Sequence, residues 1–501
     1  MKEINKLVGL VTKKLSSNFG VIDLSGAIDN PGKEQQLYNG VLMGDFFDDE
    51  VTAKGMYQSN VYDQRFRMLK SRLRYKLYDL LYHLDFETPH FSFTSQKLLE
   101  CKANLHRAQI LIELGEFEMA EKLFNKVIVL ASDCQFTREL IEAFEMKRTV
   151  LCKEHKPTDF ELSLKELATL RGTQQKEAEA EDQFLRIELL LTKSVHSRNI
   201  SGRATTEAIK QLESSYGKTN SYNIFENLHQ LKVWFYMLEG DYEDLDQYLK
   251  QAYASLTKHK GAADRFDHAT HFHLLAKNHL ILNQFDKGRK AILKALEYSD
   301  KSTDQWFYHQ EIRMLIEMHS KKYGQALDVM TEVLKNPNFN RASDQIINRW
   351  KIFKLYLNFA FPEKGIQKRV RFYDIYEASE SYFKELKGYR ISLYLLEFIH
   401  NLNKDTTDQA ISKLDDLEAY FYKNLNDPGK NQREKQFIKM LKVLRSNEFD
   451  TADTQVAIQP YFKKMGEKKV LSHFSDFEII PYEDFWQMIV KVVKKNMITV
   501  G

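Results

Sequence analysis

Apolar residues recur at steps of three and four along most of the chain, a spacing typical of helices with one buried face. The clearest early example begins near Val61 and runs through Phe66, Leu69, Leu73, Leu77, Leu80, Leu81 and Leu84. Residues 1–18 are also amphipathic, whereas the glycine-rich residues 18–35 predict a loop with a short extended piece at Val21–Leu24. Glycine and proline number only 20 and 8 in 501 residues, which favours long helices joined by short polar loops.

A longer pattern recurs after residue 96. Each copy has an apolar helix, a tight turn, an aromatic residue, a small residue three positions later and a second apolar helix. The copies occupy 108–131, 233–256, 276–299 and 314–337, and their aromatic residues are Phe117, Tyr242, Phe285 and Tyr323. The last three aromatics recur at intervals of about forty residues, and such periods indicate a solenoid of stacked units.

Each copy is interpreted as a hairpin of two helices. Gly115, Gly240 and Asn283 stand at the turns, where a residue in the left-handed conformation ends a helix. The aromatic residue is expected to fill the space between the two helices. The small residue is expected to let the helices approach closely, and the candidates are Ala120, Gly288 and Ala326.

These features resemble the tetratricopeptide-repeat (TPR) superfamily. The copy at 269–299 carries the resemblance through Ala276 and Ala295, and the copy at 104–131 through Ala108, Gly115, Phe117, Ala120, Phe124 and Val127. The period exceeds the family's length of about 34 residues, and the proline that closes each family repeat is mostly missing. Two further stretches are interpreted as diverged copies: 139–225, with helices at Phe184–Thr192 and Ala208–Tyr216, and 345–425, with helices at Trp350–Phe361 and Leu414–Tyr422.

The resemblance implies an all-α fold, a right-handed α-solenoid of TPR-like helical hairpins with an atypical N-terminal segment and a C-terminal helical cap. The expected regions are 1–95, a helical segment with a glycine-rich loop; 96–425, the repeat array; and 426–501, the cap. Helices are expected at about 433–446, 453–465 and 482–497. An apolar stripe in the last of them is predicted to cover the final repeat, and it consists of Trp486, Ile489, Val490 and Val493.

Charge and cysteine content narrow the class of protein. Basic and acidic residues number 73 and 70, for a net charge of +3, so the chain as a whole has no strong attraction to nucleic acid. The three cysteines, Cys101, Cys134 and Cys152, lack metal-binding spacing, and their sparse, odd number is typical of a reducing compartment. The longest apolar run near the start, Leu7 to Val11, is too short for a signal peptide. We therefore expect a cytoplasmic protein without membrane insertion, and the oligomeric state stays open.

No catalytic motif is recognised. The nearest approach to a phosphate-binding loop is Gly26 to Lys33, but its two glycines have one intervening residue too many and Glu34 replaces the required hydroxyl. We therefore predict a non-enzyme without cofactor or bound metal. An enzyme is the rival interpretation, and this loop alone supports it.

A basic patch lies in the predicted helix near residue 70, with Phe66 and Tyr75 interleaved. One interpretation is a surface for an acidic partner or a phosphate backbone, and the favoured one is a solvated face that offsets nearby acids such as Asp45–Glu50. The patch consists of Arg65, Arg67, Lys70, Arg72, Arg74 and Lys76. A second basic cluster, Lys364, Lys368, Arg369 and Arg371, is interpreted in the same way.

Four histidines lie within residues 268–279, HATHFHLLAKNH. His268 and His271 have the spacing of two zinc ligands on a helix, but no Glu or Cys ligand adjoins them. The favoured interpretation is therefore structural. Placed on the family's repeat, His279 is expected inside the hairpin and His273 on the concave groove.

Alignment with the family's repeat also predicts further groove residues on the first helix of each hairpin. An Asn, a Trp and a Lys on adjacent helices are suited to binding a peptide. The simpler interpretation is that these residues lie on ordinary solvent-exposed helix faces. The nominated set is Asn227, Gln230, Trp234, Thr270, His273, Lys277, Tyr308 and Glu311. The function predicted is a non-enzymatic cytoplasmic scaffold or regulator that binds a protein or peptide partner through the concave surface. The alternatives are a peptide-sensing switch with residues 1–95 as effector and nucleic-acid binding through the basic clusters.

Overall fold

A computed structural model of the protein describes residues 1–14, 32–81, 91–192, 198–259, 261–361, 389–403, 406–424, 431–467 and 478–500. Over these residues the secondary structure is helical and contains no strand, which confirms the all-α prediction. None of the helices in these ranges combines the length and the apolar character that crossing a membrane requires.

The chain divides into two compact units, Met1–Glu100 and Cys101–Gly501. The N-terminal unit contains helices α1 to α4, with bounds Lys2–Lys14, Lys33–Met43, Asp49–Tyr57 and Gln64–Leu80, and the start of α5, Phe93–Glu113. Its core joins α1, α2 and α4 through buried residues such as Ile4, Val8, Leu37, Leu73 and Leu77. The expected extended piece at Val21–Leu24 and most of the glycine-rich loop lie outside the described residues.

The second unit contains the remaining helices. Helices α6 to α13 are Phe117–Cys134, Thr137–Lys153, Pro157–Thr192, Arg198–Thr219, Tyr222–Glu239, Tyr242–Ser255, His268–Ile281 and Phe285–Glu297. Helices α14 to α18 are Asp304–His319, Tyr323–Lys335, Asp344–Ala360, Tyr389–Asn403 and Thr407–Asn424. Helices α19 to α22 are Gln432–Ser446, Thr451–Ala457, Gln459–Glu467 and Tyr482–Val500. Short 3₁₀ turns occur at Leu256–Lys258, Ala262–Arg265 and Phe339–Arg341.

Tight turns join successive helices that pack against each other, as in the pairs α12–α13 and α14–α15. Gly115, Gly240 and Asn283 have φ angles of 79°, 80° and 58°, so the residues predicted to end helices do adopt the left-handed conformation. Gln135 and Lys321 have φ angles of 53° and 58° at equivalent turns. These two residue types carry no turn signal, so the pattern alone does not identify their role.

The small residues predicted in the hairpins are buried. Ala120 and Ala326 are fully buried. A Cβ atom added at Gly288 would lie 3.4 Å from the carbonyl oxygen of Ala276 and 3.2 Å from the side chain of Ile316. A side chain at Gly288 would therefore require Ile316 to shift by a few tenths of an ångström.

Two of the predicted helices differ from the structure in how the chain is divided into helices. The candidate helix Phe184–Thr192 is the end of α8, a single helix of 36 residues, because its alanine, glutamate, lysine and glutamine residues favour continuous helix. The helix expected at 453–465 is divided into α20 and α21. Pro460 lies in the first turn of α21, where its missing amide costs least, and it would interrupt one continuous helix.

One hydrophobic core extends from α10 to α22. Its largest members include Trp306, Trp350 and Trp486, all fully buried. The apolar stripe of α22, Trp486, Ile489, Val490 and Val493, lies in this core. Phe485, which precedes the stripe, stacks on Tyr356 of α16 with ring centroids 5.6 Å apart.

A buried arginine joins the C-terminal helices. Arg433 of α19 is only 7% exposed. Its guanidinium donates to Glu478 at 2.6 and 3.0 Å and to Glu483 at 2.7 and 3.0 Å. It also donates to the carbonyl oxygen of Met465 at 3.1 Å. Each charge therefore has partners that replace its lost hydration.

We predict that Arg433→Ala will destabilise the protein by about 3–5 kcal/mol, because it leaves the buried carboxylate of Glu478 without its counter-charge. Arg445→Ala on the same helix is the matched control, since Arg445 pairs with Asp415 on the exposed surface. That change should cost less than about 1 kcal/mol. Urea unfolding of the full chain, followed by circular dichroism, measures both. Equal effects of the two substitutions would contradict this account.

Candidate functional site

A pocket of about 450 Å³ lies between α10 and α12. Most of its wall is apolar or aromatic, from Tyr222, Phe225, Val233, Trp234, Met237, Phe266 and Leu274. Its exposed polar residues are Glu226, Gln230, Asp267 and Thr270. The pocket therefore has an apolar interior and a polar edge, an arrangement common in binding sites.

The polar edge is held in place at the start of α12. Asp267 caps this helix by accepting from the backbone N–H of Thr270 at 2.9 Å and from its hydroxyl at 2.6 Å. Gln305 of α14 donates to the same hydroxyl at 3.2 Å. The cap removes rotational freedom from both residues, so they occupy defined positions beside the pocket.

Arg265 anchors the connection that leads into α12. Its buried guanidinium donates to the carbonyl oxygen of Cys134 at 2.9 Å and to the side chain of Asn223 at 2.8 Å. It also lies 4.5 Å from the ring of Tyr222. The carboxylate of Glu226 is 3.6 Å away, and its side chain is 57% exposed. Glu226 therefore keeps most of its surface available at the edge of the pocket.

Two neutral histidines complete the wall. Burial lowers the pKa of His229 to about 4 and, together with the neighbouring His229, the pKa of His271 to about 3. His271 is 1% exposed, and its ring stacks on Tyr253 with centroids 4.9 Å apart. The Nδ1 atom of His229 lies 3.1 Å from the hydroxyl of Tyr248. Because both imidazoles are neutral near pH 7, the charged groups that line the pocket are the two carboxylates.

Three of the predicted groove residues line this pocket, namely Gln230, Trp234 and Thr270. Trp234 is half-buried and stacks on Phe184 of α8 with centroids 5.2 Å apart. Asn227, on the same helix, is half-buried and is not among the lining residues.

The other predicted groove residues lie deeper or make contacts between helices. Nδ1 of His273 is 2.8 Å from Nδ1 of His309 on α14, and Lys277 is half-buried. The ring of Tyr308 lies 5.6 Å from the guanidinium of Arg349 on α16. Glu311 was expected on an open groove, but it is 2% exposed and lies 2.6 Å from Arg349. Neighbouring helices on both sides of α14 cover that position.

The other two histidines of residues 268–279 contact neighbouring side chains. His268 stacks on Tyr298 with centroids 4.9 Å apart. His279 is buried, as predicted, and its Nε2 lies 3.4 Å from the carboxylate of Asp246. In the described part of the chain, no group of at least three His, Cys, Asp or Glu side chains is arranged to hold a metal ion.

The basic patch of α4 is partly neutralised by carboxylates. Arg65 pairs with Asp63, and Lys76 with Glu34. Lys70 pairs with Asp49, and Arg74 lies 3.7 Å from Glu3. Arg67 and Arg72 are exposed. The second basic cluster, Lys364 to Arg371, lies outside the described residues.

Four residues that line the pocket were not predicted from the sequence as partner contacts: Glu226, His229, Asp267 and His271. Two of them carried a usable signal. Glu226 lies one helical turn before Gln230, so both share one face of α10. Asp267 directly precedes an apolar helical run, which is the position of a capping residue.

Comparison of the sequence with models of protein families gives no match, and neither the curated proteins nor the solved structures give one.

We predict that stability will fall as the pH drops below about 6.5, the pKa of an unfolded histidine. Burial lowers the pKa of His273 to about 3 and of His309 to about 4, as it does for His229 and His271. Above pH 6.5 both states are neutral and no dependence arises. Below it the unfolded chain binds protons that the folded chain excludes, so each histidine costs about 1.4 kcal/mol per pH unit until its folded pKa is reached.

Urea unfolding at a series of pH values between 8 and about 5 tests whether the free energy of unfolding falls as the pH is lowered. His271→Phe, which keeps an aromatic ring and removes one titrating group, should reduce the slope by the share of one histidine, about 1.4 kcal/mol per pH unit. A free energy of unfolding that stays constant between pH 7 and 5 would show that these histidines are not buried in the neutral form.

Proposed function

We propose that the chain is a non-enzymatic scaffold or regulator that binds a segment of a protein or peptide partner in the pocket between α10 and α12. The observation that carries the proposal is the combination of an aromatic interior with exposed carboxylates at the edge. The repeating hairpins support a TPR-like, right-handed solenoid with α22 in its cap. In such an array the first helix of each hairpin contributes to one continuous binding surface.

The chemistry of the pocket selects the partner. Its volume and apolar wall suit one large aliphatic or aromatic side chain, the kind of anchor that dominates binding energy in protein interfaces. Glu226 and Asp267 suit a lysine or arginine next to that anchor. The proposed ligand is therefore a short segment with an apolar anchor and an adjacent basic residue.

The rigidity of the site supports recognition without rearrangement. Asp267 and Thr270 are fixed by the helix cap, and Trp234 is fixed by its stack on Phe184. A preformed pocket loses little side-chain entropy when a ligand enters. A cytoplasmic location is proposed with this function, and the sparse, odd number of cysteines, three in the chain, agrees with it.

Selection from a displayed random peptide library tests the proposal. We expect enrichment of peptides with a large apolar residue beside lysine or arginine, and we expect Glu226→Gln to weaken the selected peptides about tenfold by removing one charge-assisted contact. Gln230→Trp should block binding by filling the pocket, since Gln230 is exposed at its edge.

Glu243→Gln on α11 is the matched control, because this exposed carboxylate does not line the pocket. It should bind selected peptides like the wild type. Peptides that bind wild type and Gln230→Trp equally, or no enrichment at all, would reject this pocket as the binding site.

A further inference from the structure

A second pocket, of about 610 Å³, lies within the N-terminal unit. Its wall combines the first turn of α2 with Tyr57 at the end of α3 and one face of α4. The lining side chains include four cations, Lys33, Arg65, Arg72 and Lys76, and one carboxylate, Glu34. Cations therefore outnumber anions on its surface.

The cations of α4 divide into two stripes with different surroundings. Arg65, Arg72 and Lys76 are separated by seven and four positions, so they follow one face of the helix, and all three line the pocket. Lys70 and Arg74 lie on another stripe, where Asp49 and Glu3 offset them. Carboxylates also offset part of the first stripe, since Asp63 pairs with Arg65 and Glu34 with Lys76, but among the described residues none pairs with Arg72.

Tyr57 positions two of the pocket cations. The ammonium of Lys33 lies 5.6 Å from its ring centroid, and the guanidinium of Arg65 lies 5.0 Å from it. Lys33 also donates to the carbonyl oxygen of Met56 at 3.3 Å. The aromatic ring therefore holds cations from α2 and α4 beside the same pocket.

The carboxylates near this pocket offset part of its charge. Glu34 pairs with Lys76, whose side chain is 55% exposed, and Asp63 pairs with Arg65, which is 67% exposed. Both cations therefore keep much of their surface open to solvent, where a further anion can reach them. Gly32 precedes α2 as its N-cap residue and supplies no side-chain cap, so the positive end of the helix dipole adds to the field.

We infer that this pocket binds the phosphate groups of a small polyphosphate ligand, such as an inorganic oligophosphate or a nucleoside polyphosphate. Between Arg65 and Lys76 the helix rises by about 16 Å, which is more than one phosphate group spans. The pocket volume is in the ordinary range for small-molecule ligands. The guanidinium of arginine can donate two hydrogen bonds to phosphate oxygens at once, and the ammonium of lysine adds a compact positive charge.

Titration calorimetry of the full chain with inorganic tripolyphosphate tests the inference, in low salt and again in raised salt. The wild type should bind, and binding should weaken as salt is added. Arg72→Gln should weaken binding about tenfold by removing one charge-assisted contact. Arg67→Gln is the matched control, since Arg67 is an exposed arginine on the same helix that does not line the pocket. Its affinity should equal that of the wild type.

Thermal melting of both variants verifies that the exposed substitutions leave the fold intact. A nucleoside triphosphate is the second probe: affinity above that of tripolyphosphate assigns the nucleoside form, and equal affinity assigns the phosphate chain alone. Absence of tripolyphosphate binding in low salt, or equal loss in Arg72→Gln and Arg67→Gln, would overturn the inference. Binding of a single-stranded oligonucleotide without binding of either small probe would assign the pocket to nucleic acid instead.

Discussion

Helix α14 is enclosed by its neighbours, yet it carries buried polar side chains that each require a partner. Glu317 receives a two-point contact from Arg289 of α13, with both N–O distances 2.8 Å. Glu311 pairs with Arg349 of α16, and His309 pairs with His273 of α12. The Nε2 atom of His319 lies 2.5 Å from the carbonyl oxygen of Glu478. Arg313 also pairs with Glu332 of α15, so polar contacts connect this helix to four other helices and to the residues that precede α22.

These contacts restrict how the hairpins pack. An apolar interface tolerates small rotations, whereas a buried carboxylate that loses its arginine is left with an uncompensated charge. The pairs of α14 therefore favour one rotation of α12 and α16 relative to it. The pocket depends on the same constraint, because Thr270 at its edge contacts Gln305 of α14. Because α12 is held in one orientation, the carboxylate of Asp267 stays at a fixed position relative to the aromatic wall of the pocket.

Local patterns predicted the helices and many of their turns because those features depend on neighbouring residues in sequence. Gly115 and Gly240 end helices because glycine readily adopts the left-handed conformation, so residue type alone predicts their role. The buried position of His279 follows from helical periodicity. The pairing of Glu311 with Arg349 could not be predicted in this way. It depends on the relative rotation of two helices that tertiary packing determines. Three groove residues line the pocket, whereas His273, Tyr308 and Glu311 contact neighbouring helices. Residue spacing places a side chain on a face of its own helix but does not say which helix packs on that face.

Net charge is a poor guide to the surfaces of this chain. The net charge of +3 hides two pockets of opposite character. The charged groups that line the pocket of the second unit are carboxylates, whereas cations predominate in the pocket of the N-terminal unit. Charges act over about 8–10 Å at moderate salt, so a ligand responds to the lining of its own pocket rather than to the sum over the chain. The two pockets should therefore select ligands of opposite charge. Added salt would weaken both, so salt dependence alone cannot distinguish them, whereas the sign of the ligand charge can.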